Sequence, residues 1–439
     1  MKVSYYNIYA DNKGRNVICF NSKLDSFCVL SNNDARLLKN NVEQLAINSP
    51  KVYNALIEKG FIIENNREEL EELKEEYRTA VKQKDTFRLT ILPSLDCNLR
   101  CWYCFEKHVH GSHLSEEVSD NILRFVKRQF EENDRLKSLE VELFGGEPLL
   151  YLEKELYPLL TKIKEYVSSI GKHVFFFFVT NGVCIDERTL PLLNDLNASF
   201  QISIDGFKDR HDKVKFIPDT GEGTYDSIIK TIHNIADTIK NTYINLRINY
   251  DSETLAHMPE LIEELNNVDR NKIGIHLERV WQTGDQANKD NNQLKEMINL
   301  WLSKGFKVSY MNLSRRKYSC KASTNNQAVL SCDGAVYKCS GRDFTEEHRD
   351  GYLNSDGAIC WKENKLADRM EIVTYDNAMC RSCRLLPLCW GPCCQKQLES
   401  GDKDIARYCQ KLNMEMSMTD YILYRFNNAL ISNYKHESL

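Results

Sequence analysis

Three cysteines set the chemistry open to this chain. Cys97, Cys101 and Cys104 stand at C-x3-C-x2-C directly after the apolar run Phe87 to Pro93. A cubane iron–sulfur cluster is ordinarily held by four thiolates, so three would leave one iron open to a small ligand. With 16 cysteines in 439 residues, chance would produce this spacing roughly 0.02 times. Two other uses of the same residues compete. Zinc sites usually take four protein ligands, often as two C-x2-C pairs, and Cys101 and Cys104 could be half of one. Free cysteine is also a common core residue.

The chain carries ten further cysteines beyond residue 319. Cys320 is followed by Gly334 and then Cys339. Next come Cys380-x2-Cys383-x5-Cys389-x3-Cys393, with Cys394 beside the last, and finally Cys409. Chance production of the four-cysteine run is on the order of 0.001. Zinc would fill four of these thiolates but would carry no electrons.

These residues belong to a long chain of ordinary globular composition, 42% apolar and 28% charged. That is enough for two or three domains. The net charge of −5 implies no strong field for nucleic acid or membrane. No stretch approaches the ~20 apolar residues of a membrane span. The first residues lack the apolar core of a signal peptide. Many cysteines without an export signal point to metal ligation in a reducing cytoplasm rather than to disulfides.

From Phe87 the pattern alternates strands with helices. Strands are expected at 87–93, 138–144, 173–179, 199–204, 243–249 and 273–280. Helices are expected at 115–132, 150–169, 186–196, 224–238, 253–266 and 291–304. Repeated units of this kind imply a parallel sheet. Phe175 to Val179 lacks alternation, as a strand buried on both faces would. The second strand ends in Gly145-Gly146-Glu147-Pro148, where glycines let backbone approach a neighbour closely and a carboxylate could accept from an ammonium. The third ends in Thr180-Asn181-Gly182 and the fourth in Ser203-Ile204-Asp205-Gly206. Short polar ends of this type also serve as helix caps.

The first motif, with Tyr103 before its third cysteine, together with the Gly-Gly-Glu segment, resembles the radical S-adenosylmethionine (SAM) superfamily. The resemblance implies an α/β fold, an open (β/α)6 partial barrel with its chemistry at the C-terminal ends of the strands. It implies that Cys97, Cys101 and Cys104 bind a [4Fe–4S] cluster whose open iron takes SAM. Tyr103, Gly145, Gly146, Glu147, Thr180, Asn181, Ser203 and Asp205 would form the SAM pocket, with the Gly-Gly-Glu segment at the amino group. Relatives often carry Arg where Lys215 stands, which would exchange a bidentate contact for a point charge. His211 reads as a structural hydrogen-bonder, and no catalytic acid or base is identified. The later cysteines resemble the SPASM domain, which implies two auxiliary [4Fe–4S] clusters. By that resemblance Cys380, Cys383, Cys389 and Cys409 hold the outer one, and Cys320, Cys339 and Cys393 the inner one. A fourth inner ligand is open between Cys332, the first candidate, Cys394, and none. Cys19, Cys28, Cys184 and Cys360 read as structural.

Residues 1 to about 66 read as a small unit. Val3–Ile8 and Val17–Phe20 flank the turn signal Asp11 to Gly14 as a hairpin, helices follow near Leu37 and at 51–59, and Phe61-Ile62-Ile63-Glu64 forms a short strand. This pattern resembles the winged-helix-like leader-peptide recognition element of peptide-modifying radical SAM enzymes, which binds a peptide as an added strand. Residues 68–84 read as a linker helix with a solvated charged face, and 410–439 as helix with Met414, Met418, Ile422, Leu423 and Phe426 near one face. The expected division is 1–84 recognition and linker, 85–309 barrel, 310–439 SPASM. The resemblance implies a cytoplasmic maturase of a ribosomally made precursor peptide, reduced by a flavodoxin- or ferredoxin-type donor. It would form an intrapeptide carbon–carbon or thioether crosslink. The anaerobic sulfatase maturases, which make formylglycine, are the alternative. A non-catalytic peptide-binding scaffold is a third reading, against which the intact cysteine motif and Gly-Gly-Glu weigh.

Overall fold

The computed structural model describes residues 1–280, 291–311, 313–314, 317–400 and 405–433. In chain order the strands are β1 (Lys2–Val3), β2 (Asn7–Asp11), β3 (Val17–Asn21), β4 (Ser26–Leu30), β5 (Ile62–Ile63), β6 (Thr86–Leu92), β7 (Ser138–Leu143), β8 (His173–Thr180), β9 (Ser199–Ile204), β10 (Ile244–Tyr250) and β11 (Ile273–Arg279). They continue with β12 (Lys307–Tyr310), β13 (Gln327–Ser331), β14 (Ala335–Tyr337), β15 (Gly351–Leu353) and β16 (Ile359–Trp361). Strands β6 to β12 are parallel neighbours in sequence order, and helices connect them. β13 adds in parallel to the other side of β6, Gln327 opposite Arg88, and β14 to β16 continue antiparallel. The sheet therefore runs from the barrel into the cysteine-rich region without a break. No described helix is long and apolar enough to cross a membrane.

The parallel strands are apolar on one face and polar on the other. Leu89, Ile91, Val141, Leu143, Phe176, Phe178, Ile202, Ile204, Leu246 and Ile248 are buried with residues of the covering helices such as Phe125 and Ile163. Alternate residues of the same strands point to the opposite face. There Arg88 pairs with Glu140, Lys321 with Glu142, and Gln201 with Asn245. Phe175 lies on this second face, opposite Glu140, and is 59% exposed, whereas Phe178 is fully buried. The expectation of a strand buried on both faces is thus corrected. An open barrel is covered by helices on its outside only, so its lumen stays polar and accessible.

The front unit differs from the expected hairpin. Val3 belongs to β1, which pairs with Ile62 of β5, and the hairpin is β2 with β3, followed by β4. The break between β1 and β2 is held from outside: Glu69 accepts the Ser4 hydroxyl at 2.7 Å and the Tyr5 N–H at 2.8 Å. One face of the three-stranded sheet packs on three helices (Asn32–Asn40, Val42–Asn48, Pro50–Glu58) through Val17, Cys19, Leu38 and Leu56. The other face, Ile8, Ala10, Ile18 and Phe20, joins the main core. There Phe27 meets Phe426 of the terminal helix, Met418–Asn433. Of the segment expected to be helical, Met414 precedes that helix and residues 434–439 lie outside the described residues.

The helix Glu69–Val81 is more than a linker. Leu73 and Tyr77 pack against Tyr375 and Trp390 of the cysteine-rich region. Two of its charges are structural rather than solvated. Glu69 holds the turn described above. Glu72 bonds Arg67 and Lys23, and these contacts lower its pKa to about 2 against the cost of burial.

The one-sided packing makes a prediction. Phe178→Ala should cost about 3–5 kcal/mol, as for a buried aromatic. Phe175→Ser should stay within about 0.5 kcal/mol, as for a surface site. Anaerobic denaturant unfolding of both variants measures the difference; similar losses would mean that the lumen is packed.

Candidate functional site

The C-terminal ends of β6, β7 and β8 are joined by hydrogen bonds. The Gly146 N–H donates to Ser94 O (3.2 Å) and the Glu147 N–H to Asp96 O (2.8 Å). A Cβ on Gly146 would lie 2.0 Å from Asp96 O, and one on Gly145, at φ +115°, 2.4 Å from Ser94 O. Only glycine permits this approach. Glu147 is fully buried and ties the next strand in. Its carboxylate accepts the Thr180 hydroxyl (2.7 Å), the Asn181 N–H (2.8 Å) and the Leu149 N–H (3.1 Å). Burial pushes its pKa up to about 7, against those hydrogen bonds.

Asp96 shapes the cysteine loop. Its carboxylate accepts the N–H groups of Cys97 and Gly111, both at 2.8 Å, and faces Arg100 and His110. Burial acts to raise its pKa, but the two backbone donors and these neighbouring side chains outweigh it, and the pKa is lowered.

Above this seam lies a cavity of about 380 Å³. Cys97, Cys101 and Cys104 line it with Tyr103, Gly145, Gly146, Thr180, Asn181 and Ser203. Two expected residues, Glu147 and Asp205, do not line it. Glu147 braces the strand ends. Asp205, 3% exposed, accepts Tyr103 Oη at 2.8 Å and Asn249 Nδ2 at 3.0 Å, and lies 3.4 Å from Lys215 Nζ. Burial would raise the Asp205 carboxyl, but the Lys215 ammonium and the hydrogen bonds from Tyr103 and Asn249 outweigh it and lower its pKa. Lys215 Nζ also donates to Ser203 Oγ (2.6 Å) and O (2.8 Å). A buried ammonium thus sits at the wall of the cavity, where an anionic group of a ligand would be matched.

His211 is fully buried. Its Nδ1 accepts the Asp205 N–H (3.2 Å), so Nε2 carries the proton toward Thr224 Oγ1 (3.0 Å). Burial, then Lys215, lowers its pKa to about 3. It is a neutral structural brace.

The cavity also holds residues that the sequence reading did not single out: Glu106, Gln201, Arg247, Asn249, Arg279, Ser340 and Gly341. Arg247 and Asn249 alternate with Leu246 and Ile248 in β10, so period-two reading of that strand could have found them. Glu106 Oε2 is buried without a hydrogen-bond partner, and burial raises its carboxyl to about 8. Ser340 and Gly341, directly after Cys339, had no local signal, because a distant segment brings them there.

Cys380, Cys383, Cys389 and Cys409 line a second cavity of about 230 Å³ with Gly391 and Lys411. Cys332, the first candidate for a fourth inner ligand, is 6% exposed and packs in the main core. Cys19 and Cys28 face each other across β3 and β4. Cys184 accepts a long hydrogen bond from Asn98 (3.6 Å). Cys360 pairs with Tyr352 across β15 and β16.

The pattern of the radical SAM superfamily matches residues 91–265. The match marks the chain as an enzyme with a radical SAM region over those residues. It is related at low identity to SPASM-type peptide maturases. Over 379 residues the chain is 23% identical to the radical SAM cyclopropyl synthase TigE of Paramaledivibacter caminithermalis, covering 78% of this chain and 76% of TigE. Over 328 residues it is 24% identical to a cysteine-type anaerobic sulfatase-maturating enzyme of Clostridium novyi, covering 68% and 85%. Streptococcus suis SuiB, solved with S-adenosylmethionine, shares the fold across 95% of this chain and 99% of its own, with TM-score 0.52 and 15% identity. A second SuiB structure holds the precursor peptide SuiA, with TM-score 0.52, 16% identity and coverage of 91% and 97%.

The radical SAM enzyme works with a [4Fe–4S] cluster and SAM, and the residues fit that pair. Three thiols converge on one cavity, and glycine backbone and a buried ammonium stand on its walls. Burial first, then Glu147, raises Cys97 to about 12, and burial raises Cys104 to about 11. These thiols are therefore protonated until a metal displaces the protons.

Two measurements test the geometry. Lys215→Met leaves Asp205 buried and unpaired and should destabilise by about 3–5 kcal/mol. Adding Asp205→Asn should recover part of that loss, and strict additivity in denaturant unfolding would rule out the coupling. For His211 the folded pKa lies below the unfolded value of ~6.5. Its stability contribution is therefore complete above that value and lost as pH falls from there toward about 3. His211→Gln should flatten the fall of unfolding midpoint over that window.

Proposed function

We propose that this radical SAM enzyme modifies a ribosomally made precursor peptide, closing a carbon–carbon or thioether crosslink with net loss of two hydrogens. In this reading residues 1–84 recognise the leader, 85–309 carry the radical chemistry and 310–439 carry two auxiliary [4Fe–4S] clusters. The observation that carries it is a groove of about 930 Å³ along residues 2–9, between the front sheet and the cysteine-rich region. Lys2, Lys39, Arg67, Arg381 and Arg384 line it, with Glu68 and Glu69. Among the described residues, β2 has a strand neighbour only on its β3 side. An extended peptide gains affinity by adding to such an edge. Arg384 donates to Asn7 O (3.0 Å) and Tyr5 Oη to Ser382 O (2.7 Å), so the groove is built from both regions.

The residues divide the work as follows. Cys97, Cys101 and Cys104 would hold the cluster, with Tyr103, Gly145, Gly146, Thr180, Asn181 and Ser203 around SAM. Glu147 holds strand ends in register, and Asp205 holds Tyr103, Asn249 and Lys215. When bound, the cluster and SAM would supply the radical chemistry that removes a hydrogen atom from the peptide. The chain must hold the chosen bond within reach and exclude competing donors. The second hydrogen leaves as a proton and an electron. Ser340 and Gly341, which line the cavity, directly follow Cys339, so a cluster held by Cys339 would stand near the peptide as an electron acceptor. A flavodoxin- or ferredoxin-type protein would supply the reducing electron.

The relative named as a sulfatase-maturating enzyme favours a second reading, oxidation of Ser or Cys to formylglycine. The relative named as a cyclopropyl synthase favours a third, ring closure within one side chain. Co-expression of the enzyme and of a Cys97→Ala variant with short peptides encoded beside the gene separates them by mass spectrometry. A peptide about two mass units lighter only with the intact enzyme, negative to carbonyl labelling and resistant to fragmentation between two residues, is the expected result. A labelled carbonyl would select formylglycine, and a change confined to one residue would select the ring. An enzyme that cleaves SAM and changes no peptide would overturn leader recognition.

A further inference from the structure

The loop that carries Cys97, Cys101 and Cys104 also turns apolar side chains to solvent. Trp102, Phe105 and Val109 are all exposed, Trp102 by 57%, and among the described residues no other run of that length shows three large exposed apolar side chains. Cys104 is itself exposed. Local contacts hold the segment in shape. The Cys104 N–H donates to Cys101 O (3.1 Å), the Val109 N–H donates to Leu95 O (3.0 Å), and His108 Nε2 lies 3.6 Å from Cys104 Sγ. Trp102 stands edge-on to Tyr103, with ring centroids 5.6 Å apart. Exposed apolar side chains gathered in this way mark contact surfaces. The charge around them is one-sided. Arg100, which faces Asp96, is exposed. Lys107 is exposed and has no ion pair among the described residues. The two carboxylates of residues 96–110 are withdrawn from this surface: Asp96 is buried, and Glu106 lines the cavity with Oε2 buried. A basic and apolar surface therefore surrounds the three cysteines of a chain whose net charge is −5.

We propose that this loop is the docking surface of the reducing partner, an acidic one-electron carrier protein of the flavodoxin or ferredoxin class. Trp102 and Val109 pack on the carrier, and its carboxylates face Arg100 and Lys107. This rests on the reading above that such a carrier supplies the electron. Neither Trp102 nor Val109 lines the reaction cavity, so the surface is distinct from the one that faces the peptide. Electron-transfer encounters are small and weak, which suits three apolar side chains and two cations. Opposite charge chiefly speeds their association. One electron leaves the carrier, whose flavin or iron–sulfur centre is oxidised by one unit, and passes to the group held by Cys97, Cys101 and Cys104. No covalent bond forms or breaks in this step.

The test uses the anaerobically reconstituted full-length enzyme and three single variants, Trp102→Ser, Lys107→Glu and Val109→Ser. A bacterial flavodoxin is the probe. Its oxidised form is titrated onto the enzyme by calorimetry, and reoxidation of its photoreduced flavin is followed by stopped flow. SAM cleavage driven by dithionite, which needs no docking, is measured in parallel. Each variant should weaken flavodoxin binding and slow flavin reoxidation at sub-saturating carrier by roughly tenfold, as for a central contact of a small interface. Dithionite-driven cleavage should stay within about twofold of the native rate, as for surface substitutions. Added salt should slow the native flavodoxin reaction and slow Lys107→Glu less. Lys107→Glu and Val109→Ser keep the assignment testable if Trp102→Ser fails to fold. A native enzyme that does not cleave SAM with dithionite would sink the radical SAM reading of the cysteine site itself. With normal dithionite activity, flavodoxin binding and reoxidation unchanged in all three variants would overturn the docking assignment alone, as would a native enzyme that does not bind flavodoxin. Equal losses with dithionite and with flavodoxin would also overturn it, by making the loop part of the cluster or peptide machinery.

Discussion

The site depends on one close approach of backbone to backbone. The Gly145–Gly146 segment lies against Ser94 O and Asp96 O at distances that exclude a Cβ. This brings the end of β7 against the cysteine loop after β6. Glu147 then binds the end of β8 through Thr180 and Asn181. Three strand ends become one rigid rim, and the cysteines are mounted on it. Preorganisation of this kind fixes ligands on scaffold elements rather than on a free loop.

Burial at the rim is balanced differently at its two carboxylates. Glu147 is held by three neutral donors with no ion pair among the described residues, and burial raises its pKa to about 7. Asp205 meets Lys215 at 3.4 Å and stays charged. The first acts as a strut. The second keeps an ammonium at the cavity wall and orders Tyr103 beneath the cysteines. A charge removed from such a pair leaves its partner stranded in low dielectric.

The lumen is polar because the barrel is open. Helices cover the outer face of the parallel strands, and among the described residues no side-chain layers fill the inner face as they fill a closed barrel. Arg247, Asn249 and Gln201 can therefore line a reaction cavity. The cysteine-rich region extends the same sheet through β13 and delivers Ser340 and Gly341 to that cavity. The front unit is tied in by Glu69, Tyr5 and Arg384, which places a basic groove on the seam between the regions.

The sequence by itself determined the local features. Six strand–helix units were legible from hydrophobic periodicity, because strands and helices bury faces at fixed repeats. The C-x3-C-x2-C triad and the Cys380 to Cys393 run were legible from spacing alone. The tertiary structure decided what depends on distant partners. Phe175 has the composition of a buried strand residue but is exposed, since burial depends on whether something packs over the lumen. Glu147 reads as a ligand group but is consumed by Thr180 and Asn181, which lie more than thirty residues away. Cys332 and Cys394 are both reasonable partners for Cys320 by spacing. Chain path alone buries Cys332 in the main core and Cys394 beside Arg369, because contact between segments far apart in sequence is set by packing and not by their order.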